Sequence, residues 1–158
     1  MAIDLMTTNK TEAPVAIPLT RDHLRGAAEL ERMCFSEPWS EQSLGLLLGE
    51  SGVGFAVVCG DTVAAYGGMM TVLDEGQITN IATHPDFRRR GFGEAVTGAL
   101  LDYARQNGIS SVSLEVRASN AGAIALYQKL GFCVCGERRN FYRMPTESAL
   151  VMVWQATL

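Results

Sequence analysis

Much of what commonly announces a function is missing from this chain. Its 158 residues hold four cysteines, Cys34, Cys59, Cys133 and Cys135. They form no CxxC pair and are too few for a disulfide scaffold of this length, so reduced thiols are expected. Cys133 and Cys135 lie two apart, on one face of a strand, where core packing is the expectation and a metal the alternative. No apolar run approaches membrane-spanning length. The opening MAIDLMTTNKTEAP lacks the basic start, apolar stretch and small-residue cleavage site of a signal peptide. Basic residues are in deficit, 13 Lys and Arg against 17 Asp and Glu for a formal charge of −4. That balance disfavours general binding to polyanions, so any anion site must be local. The chain reads as a cytoplasmic protein with a frayed start, no membrane attachment and no direct nucleic-acid partner.

There is also no internal repeat, no low-complexity tract and no sign of a second domain. What is present is a globular composition, 47% hydrophobic and 19% charged, in a chain long enough to bury its own core. Residues 1–14 read as a flexible tail and 15–158 as one domain. VAIPL suggests a short strand, and Thr20 to Arg32 a helix with Leu24, Ala27, Ala28 and Glu31 at helical spacing. Pro38 breaks the pattern, and Ser40 can cap a second helix running to about Leu48. Strands from Gly54 to Cys59 and from Thr62 to about Leu73 make a hairpin turning at Gly60 and Asp61, and QITNIAT adds a third. Gly67 and Gly68 would weaken the second of these unless it bulges or something approaches closely.

After His84 and Pro85 a loop leads into the cleanest helix, expected to bury Phe92, Ala95, Val96, Ala99, Leu100 and Tyr103. Gly108 stops it, VSLEV is a strand, and Ser119 or Asn120 caps a further helix ending at Gly131. FCVCGE and ALVMVW read as two strands separated by RRNFYRMPTES. The order implies an α/β fold of the mixed α+β kind, a mostly antiparallel sheet with helices on both faces.

In RRRGFGEAV, Arg88 to Gly93 joins a strand to that helix. Glycines there permit a tight turn whose amides, with the helix dipole, can converge on one anion; a solvated basic loop is the plainer alternative. No Gly-Lys-Ser/Thr follows, so it is no P-loop, and the first glycine of a Rossmann fingerprint is missing. Arg88, Gly91 and Gly93 complete the pattern Q/R-x-x-G-x-G/A. The loop thus resembles the pyrophosphate loop of the GNAT acetyltransferases. PWS, VLDEGQITNIAT, LEVRASNAGAIALYQKLGF, RRNFY and ESALVM, in order from Pro38 to Met152, are similar to the RimI-type N-terminal protein acetyltransferases of that family.

The resemblance implies a GNAT fold and acetyl-CoA as cosubstrate, with no metal. Ile81, Ala82 and Thr83 would pair with the pantetheine arm through their backbone. The amides of Arg89, Arg90, Gly91, Phe92, Gly93 and Glu94 would hold the pyrophosphate, with Arg88 opening the motif. Asn120 would hydrogen-bond the cofactor, a role compatible with capping. Thr83 stands where the branch more often has Val, and Ser148 where it more often has Asp, which puts acceptor choice in doubt.

Alternation in VSLEV sets Ser113, Glu115 and Arg117 on one face. On pattern alone Glu115 is a surface carboxylate near an arginine; by resemblance it is the proton acceptor, direct or through a water, with Asp74 and Glu75 as fallbacks. Tyr127 by spacing is a core aromatic with its hydroxyl at the edge, and by resemblance the general acid for the leaving thiolate. An α-amine is about one-tenth neutral at pH 7, so the base has a modest task, and direct sequential transfer with no cysteine intermediate is expected.

By resemblance the acceptor is a protein N-terminus, with a ribosomal protein as the branch's best-known target, held by Phe35, Trp39 and Tyr142. A plainer role for Phe35 and Trp39 is a hydrophobic clasp on the first helices. Other outcomes are a lysine or small-amine enzyme, a CoA-sensing module without catalysis, or a nucleic-acid surface of Arg88, Arg89, Arg90, Arg138, Arg139 and Arg143.

Overall fold

The computed structural model describes residues 13–157. The tail expected over residues 1–14 lies, but for its last two residues, outside the described residues. The strands are β1 (Ile17–Pro18), β2 (Gly52–Cys59), β3 (Thr62–Val72), β4 (Glu75–Thr83), β5 (Ser111–Arg117), β6 (Cys133–Tyr142) and β7 (Glu147–Gln155). The helices are α1 (Leu24–Cys34), α2 (Glu41–Leu44), α3 (Phe92–Gln106) and α4 (Ala121–Lys129). One seven-stranded sheet has the order β1-β2-β3-β4-β5-β7-β6. All neighbours are antiparallel except β4 and β5.

Helices cover both faces because the strands alternate apolar side chains front and back. Tyr66 of β3 packs under α1 and α2 with Leu24, Leu30, Leu44 and Leu47. Met69, three residues on and so on the other face, packs under α3 and α4 with Leu100, Leu101 and Tyr127. Ser40 caps α2 as expected, its Oγ accepting from the Ser43 amide at 3.1 Å. Gly68 is required for close approach: a Cβ there would lie 2.5 Å from Leu47 Cδ1. The bulge beside it lies not in β3, as expected, but in β4, where the register slips between Gly68↔Asn80 and Met69↔Ile78.

Three further expectations are corrected. α3 buries Val96, Thr97, Leu100, Leu101 and Ala104, whereas Phe92, Ala95, Ala99 and Tyr103 are only half-buried. The helix is rotated from the expected face because the sheet, approached from β3, meets the 96/100/104 stripe and its flank at 97/101. RRNFY is not a connection but the second half of β6, exposed along nearly its whole length as the edge strand. Cys133 and Cys135 are exposed, not core. An edge strand has nothing packed outside it, and the bulge at Cys135, between the pairs Val134↔Met152 and Gly136↔Val151, removes the simple alternation.

Candidate active site

The site begins with a defect in the sheet. β4 and β5 pair only from Glu75↔Ser111 to Gln77↔Ser113. Immediately beyond, β4 carries an extra residue, Thr79, between Ile78, which faces Met69, and Asn80, which faces Gly68. A bulge bends its strand, and past it β4 and β5 part into a cleft. Residues 78–83 keep β3 on one side and have no strand on the other. Ile81 packs toward α3, Ala82 is buried under α1, and Thr83 lies beside Gly93. Their side chains are thus spoken for, and the backbone edge is what the cleft offers. At the bulge, Thr79 Oγ1 is buried and has no hydrogen-bond partner among the described residues.

The loop from Arg88 reaches the same cleft. Arg89 (φ 65) and Gly91 (φ 80) adopt left-handed backbone, and Gly91 is the N-cap of α3. The first helical bond runs from the Ala95 amide to Gly91 O at 3.0 Å. The amides from Arg89 to Glu94 make no hydrogen bond among the described residues, so they point their donors and the positive helix end outward together. The side chains turn elsewhere. Arg90 stacks 5.3 Å above the Phe87 ring, Arg88 lies 3.8 Å from Cys34 Sγ, and Glu94 pairs with Lys129 at 2.6 Å. Asn120 caps α4, its Oδ1 accepting from the Ala123 amide at 3.2 Å. Residues of the loop fit a diphosphate by backbone, and the open β4 edge fits an extended amide-bearing arm.

Three titratable groups are linked electrostatically through Tyr142. Glu115 is mostly buried, with Oε2 3.4 Å from Gln77 Nε2 and Oε1 3.7 Å from Arg138 Nε. Tyr127 is 7% exposed, its ring edge-on to Phe132. Burial, and then the neighbouring Tyr142, hold the Tyr127 phenol well above its ordinary range. The Tyr142 phenol is pushed up to about 12, by burial first and then by the Glu115 carboxylate. Tyr142 therefore lies within electrostatic reach of both Glu115 and Tyr127. Arg117 sits over the Tyr142 ring at 4.5 Å. Asp74 and Glu75 are at the paired end of β4, where Asp74 accepts from Ser110 Oγ at 2.8 Å.

Two walls flank this centre and touch each other. Phe35 and Trp39, on the α1–α2 connection, pack against the α1 cluster, as a clasp does. Ser36 Oγ donates to Arg143 O at 2.9 Å, and Arg143 Nε donates to Glu37 at 2.6 Å. Arg117 ties both walls, donating to Ser36 Oγ (3.3 Å), Arg143 O (3.1 Å) and Pro145 O (2.9 Å). It also meets Glu147 at 3.3 Å. The Glu147 carboxyl is lowered, by its hydrogen bonds from Ser119 first and by Arg117 after.

Sequence reasoning missed the clamp made by Arg117, the contact of Gln77 and the orphaned Thr79. It also took Glu31 for a helical-spacing residue only. A carboxylate in an apolar stripe is rarely buried without partners, and that was the available signal.

Among known proteins, the acetyltransferase (GNAT) family profile matches residues 24–132. The [ribosomal protein bS18]-alanine N-acetyltransferase of Escherichia coli is 40% identical over 133 residues, 82% of this chain and 88% of that one. The Haemophilus influenzae protein of the same name is 33% identical over 127 residues, 78% and 86%. The crystal structure of the ribosomal-protein-S18-alanine N-acetyltransferase from Escherichia coli superposes with a TM-score of 0.84 at 36% identity, covering 91% of this chain and 94% of that one.

Proposed function

Because this chain belongs to the GNAT acetyltransferase family, whose acetyl donor is acetyl-CoA, we propose that it acetylates the N-terminal α-amine of a protein, a ribosomal protein beginning with alanine. The observation that carries this reading is the parting of β4 and β5 after Gln77, with Glu115 held by Gln77 at the split and the unpaired amides that open α3 nearby. The relatives named above act on the alanine terminus of ribosomal protein bS18, and this chain spans most of their length.

In this reading the pyrophosphate lies on the amides from Arg89 to Glu94, and the pantetheine arm runs along Ile81, Ala82 and Thr83 as a further strand. Asn120 meets the cofactor with its amide nitrogen. The acceptor enters past Phe35, Trp39 and Tyr142. Its neutral amine attacks the thioester carbonyl, the nitrogen–carbon bond forms as the carbon–sulfur bond breaks, and Glu115 takes the amine's excess proton. Tyr127, kept neutral by burial, directs its O–H at the departing sulfur and lends it a proton. Transfer is direct, and the four cysteines stand outside it.

Thiol release from acetyl-CoA tests this with short peptides beginning Ala, Ser, Gly or Met, free and N-terminally blocked, each with an internal lysine. Turnover on free Ala termini alone is expected. Turnover on blocked peptides would instead make this a lysine enzyme, and tight acetyl-CoA binding with no turnover would leave a sensing module or a small-amine enzyme.

A further inference from the structure

Glu31 stands outside the cleft and is wholly buried, at 0% exposure, yet no cation among the described residues accompanies it. Four contacts surround its carboxylate instead. Trp39 donates its backbone amide to Oε1 at 2.8 Å, Tyr66 its hydroxyl to Oε2, and Asn80 its side-chain amide to both oxygens at 3.0 Å. These donors come from the acceptor wall and from two paired strands, the centre of β3 and β4 one residue past the bulge, so the carboxylate ties the wall to that strand pair. Burying an unpaired carboxylate costs more than any of these neutral bonds returns singly. A charged group that only had to fill space under α1 would be better as a leucine. The network therefore serves a position, and the positions it fixes are Trp39 and the turn of β4 that opens the cleft.

We propose that Glu31 is a positioning residue for acceptor binding, setting the wall that carries Trp39 in register with the bulged segment of β4. The geometry explains why a carboxylate is needed. All its partners donate to it, and an ionised carboxylate accepts on both oxygens without bringing a proton of its own. Glutamine has the same shape but only one acceptor oxygen, so at least one of these bonds must be lost or reversed, and the Trp39 segment is the part free to move, being a connection rather than a strand. The inference rests on the transfer reading for its kinetic arm only.

The test uses the full chain labelled with 5-fluorotryptophan. The protein has two tryptophans, and Trp154→Phe assigns the Trp39 resonance. In Glu31→Gln the Trp39 fluorine signal is expected to shift or broaden. The kcat/KM for an Ala-initiated peptide should fall about ten-fold or more, through peptide KM, the scale of one lost charged hydrogen bond. Acetyl-CoA affinity should stay within about two-fold, because the β4 segment beside Asn80 stays paired with β3 whereas the Trp39 connection is free to shift. Tyr66→Phe, which removes one donor and leaves the carboxylate, should give the same signature at roughly three-fold and serves if Glu31→Gln does not fold. An unmoved Trp39 signal with peptide kinetics within two-fold of wild type overturns the proposal, as does an equal loss of acetyl-CoA and peptide affinity. If no peptide is acetylated by the wild type, the functional reading fails while the fluorine measurement still decides the role of Glu31.

Discussion

Glu31 and Glu115 carry the same carboxylate into opposite circumstances. Glu115 borders the cleft and keeps a little exposure, held by Gln77 and Arg138; Glu31 is sealed under α1. Glu115→Gln should lower kcat by roughly 10²-fold or more, the range for a lost general base, with acetyl-CoA affinity unchanged by calorimetric titration. For Glu31 the readout is stability. Burial raises its carboxyl, outweighing the hydrogen bonds from Tyr66, Trp39 and Asn80 that lower it. The folded chain therefore holds this proton more tightly than the unfolded one. Its favourable contribution is complete below the unfolded value, about 4.3, and is lost as pH rises through the folded value. Denaturant titrations from about pH 4 to about pH 7 should show the wild type losing stability relative to Glu31→Gln as pH rises; a flat difference sinks the assignment. Of the two, only the side of Glu115 was legible, because strand alternation is local. Two of the three partners of Glu31 lie 35 and 49 residues away, and periodicity counts faces, not partners.

Elements were legible where a local rule had no competitor. Gly91 was marked by its loop, and its φ of 80 is one that side chains avoid. Gly91→Ala should cost about 1–2 kcal/mol of stability for the left-handed backbone and weaken acetyl-CoA by several-fold, measured together by thermal melts with and without the cosubstrate. If affinity is untouched, the loop does not hold the pyrophosphate. Asn120 was marked equally well as a cap. β6 was misjudged beyond Glu137 because an edge strand has no buried face to print a pattern on its sequence, and its run of charged residues looks like a connection. α3 was recognised at once, but the face it buries depends on where β3 meets it, which no stretch of α3 records.

The molecule as a whole joins its two halves through Arg117, whose guanidinium spans the α1–α2 connection and the β6–β7 turn. Arg117→Ala should free the walls and raise peptide KM about ten-fold or more, as for a multiply bonded charged group, while the acetyl-CoA constant holds; initial-rate kinetics in both substrates separate the two. The mixed, mostly antiparallel sheet and its helix layers were foreseeable from the succession of elements, but the place of β7 between β5 and β6 was not. The cleft was not, since it arises from one surplus residue in β4 and a parallel pairing that stops after three rungs. That stop has a consequence in exchange with heavy water. Amides of residues 78–83 that point away from β3 have no acceptor to shield them, so in the isolated chain they should trade hydrogen for deuterium quickly, deep inside an otherwise slow sheet. Saturating acetyl-CoA should slow them to the pace of their neighbours. That outcome would make the cosubstrate an eighth strand, the sheet finished by a small molecule that the reaction consumes.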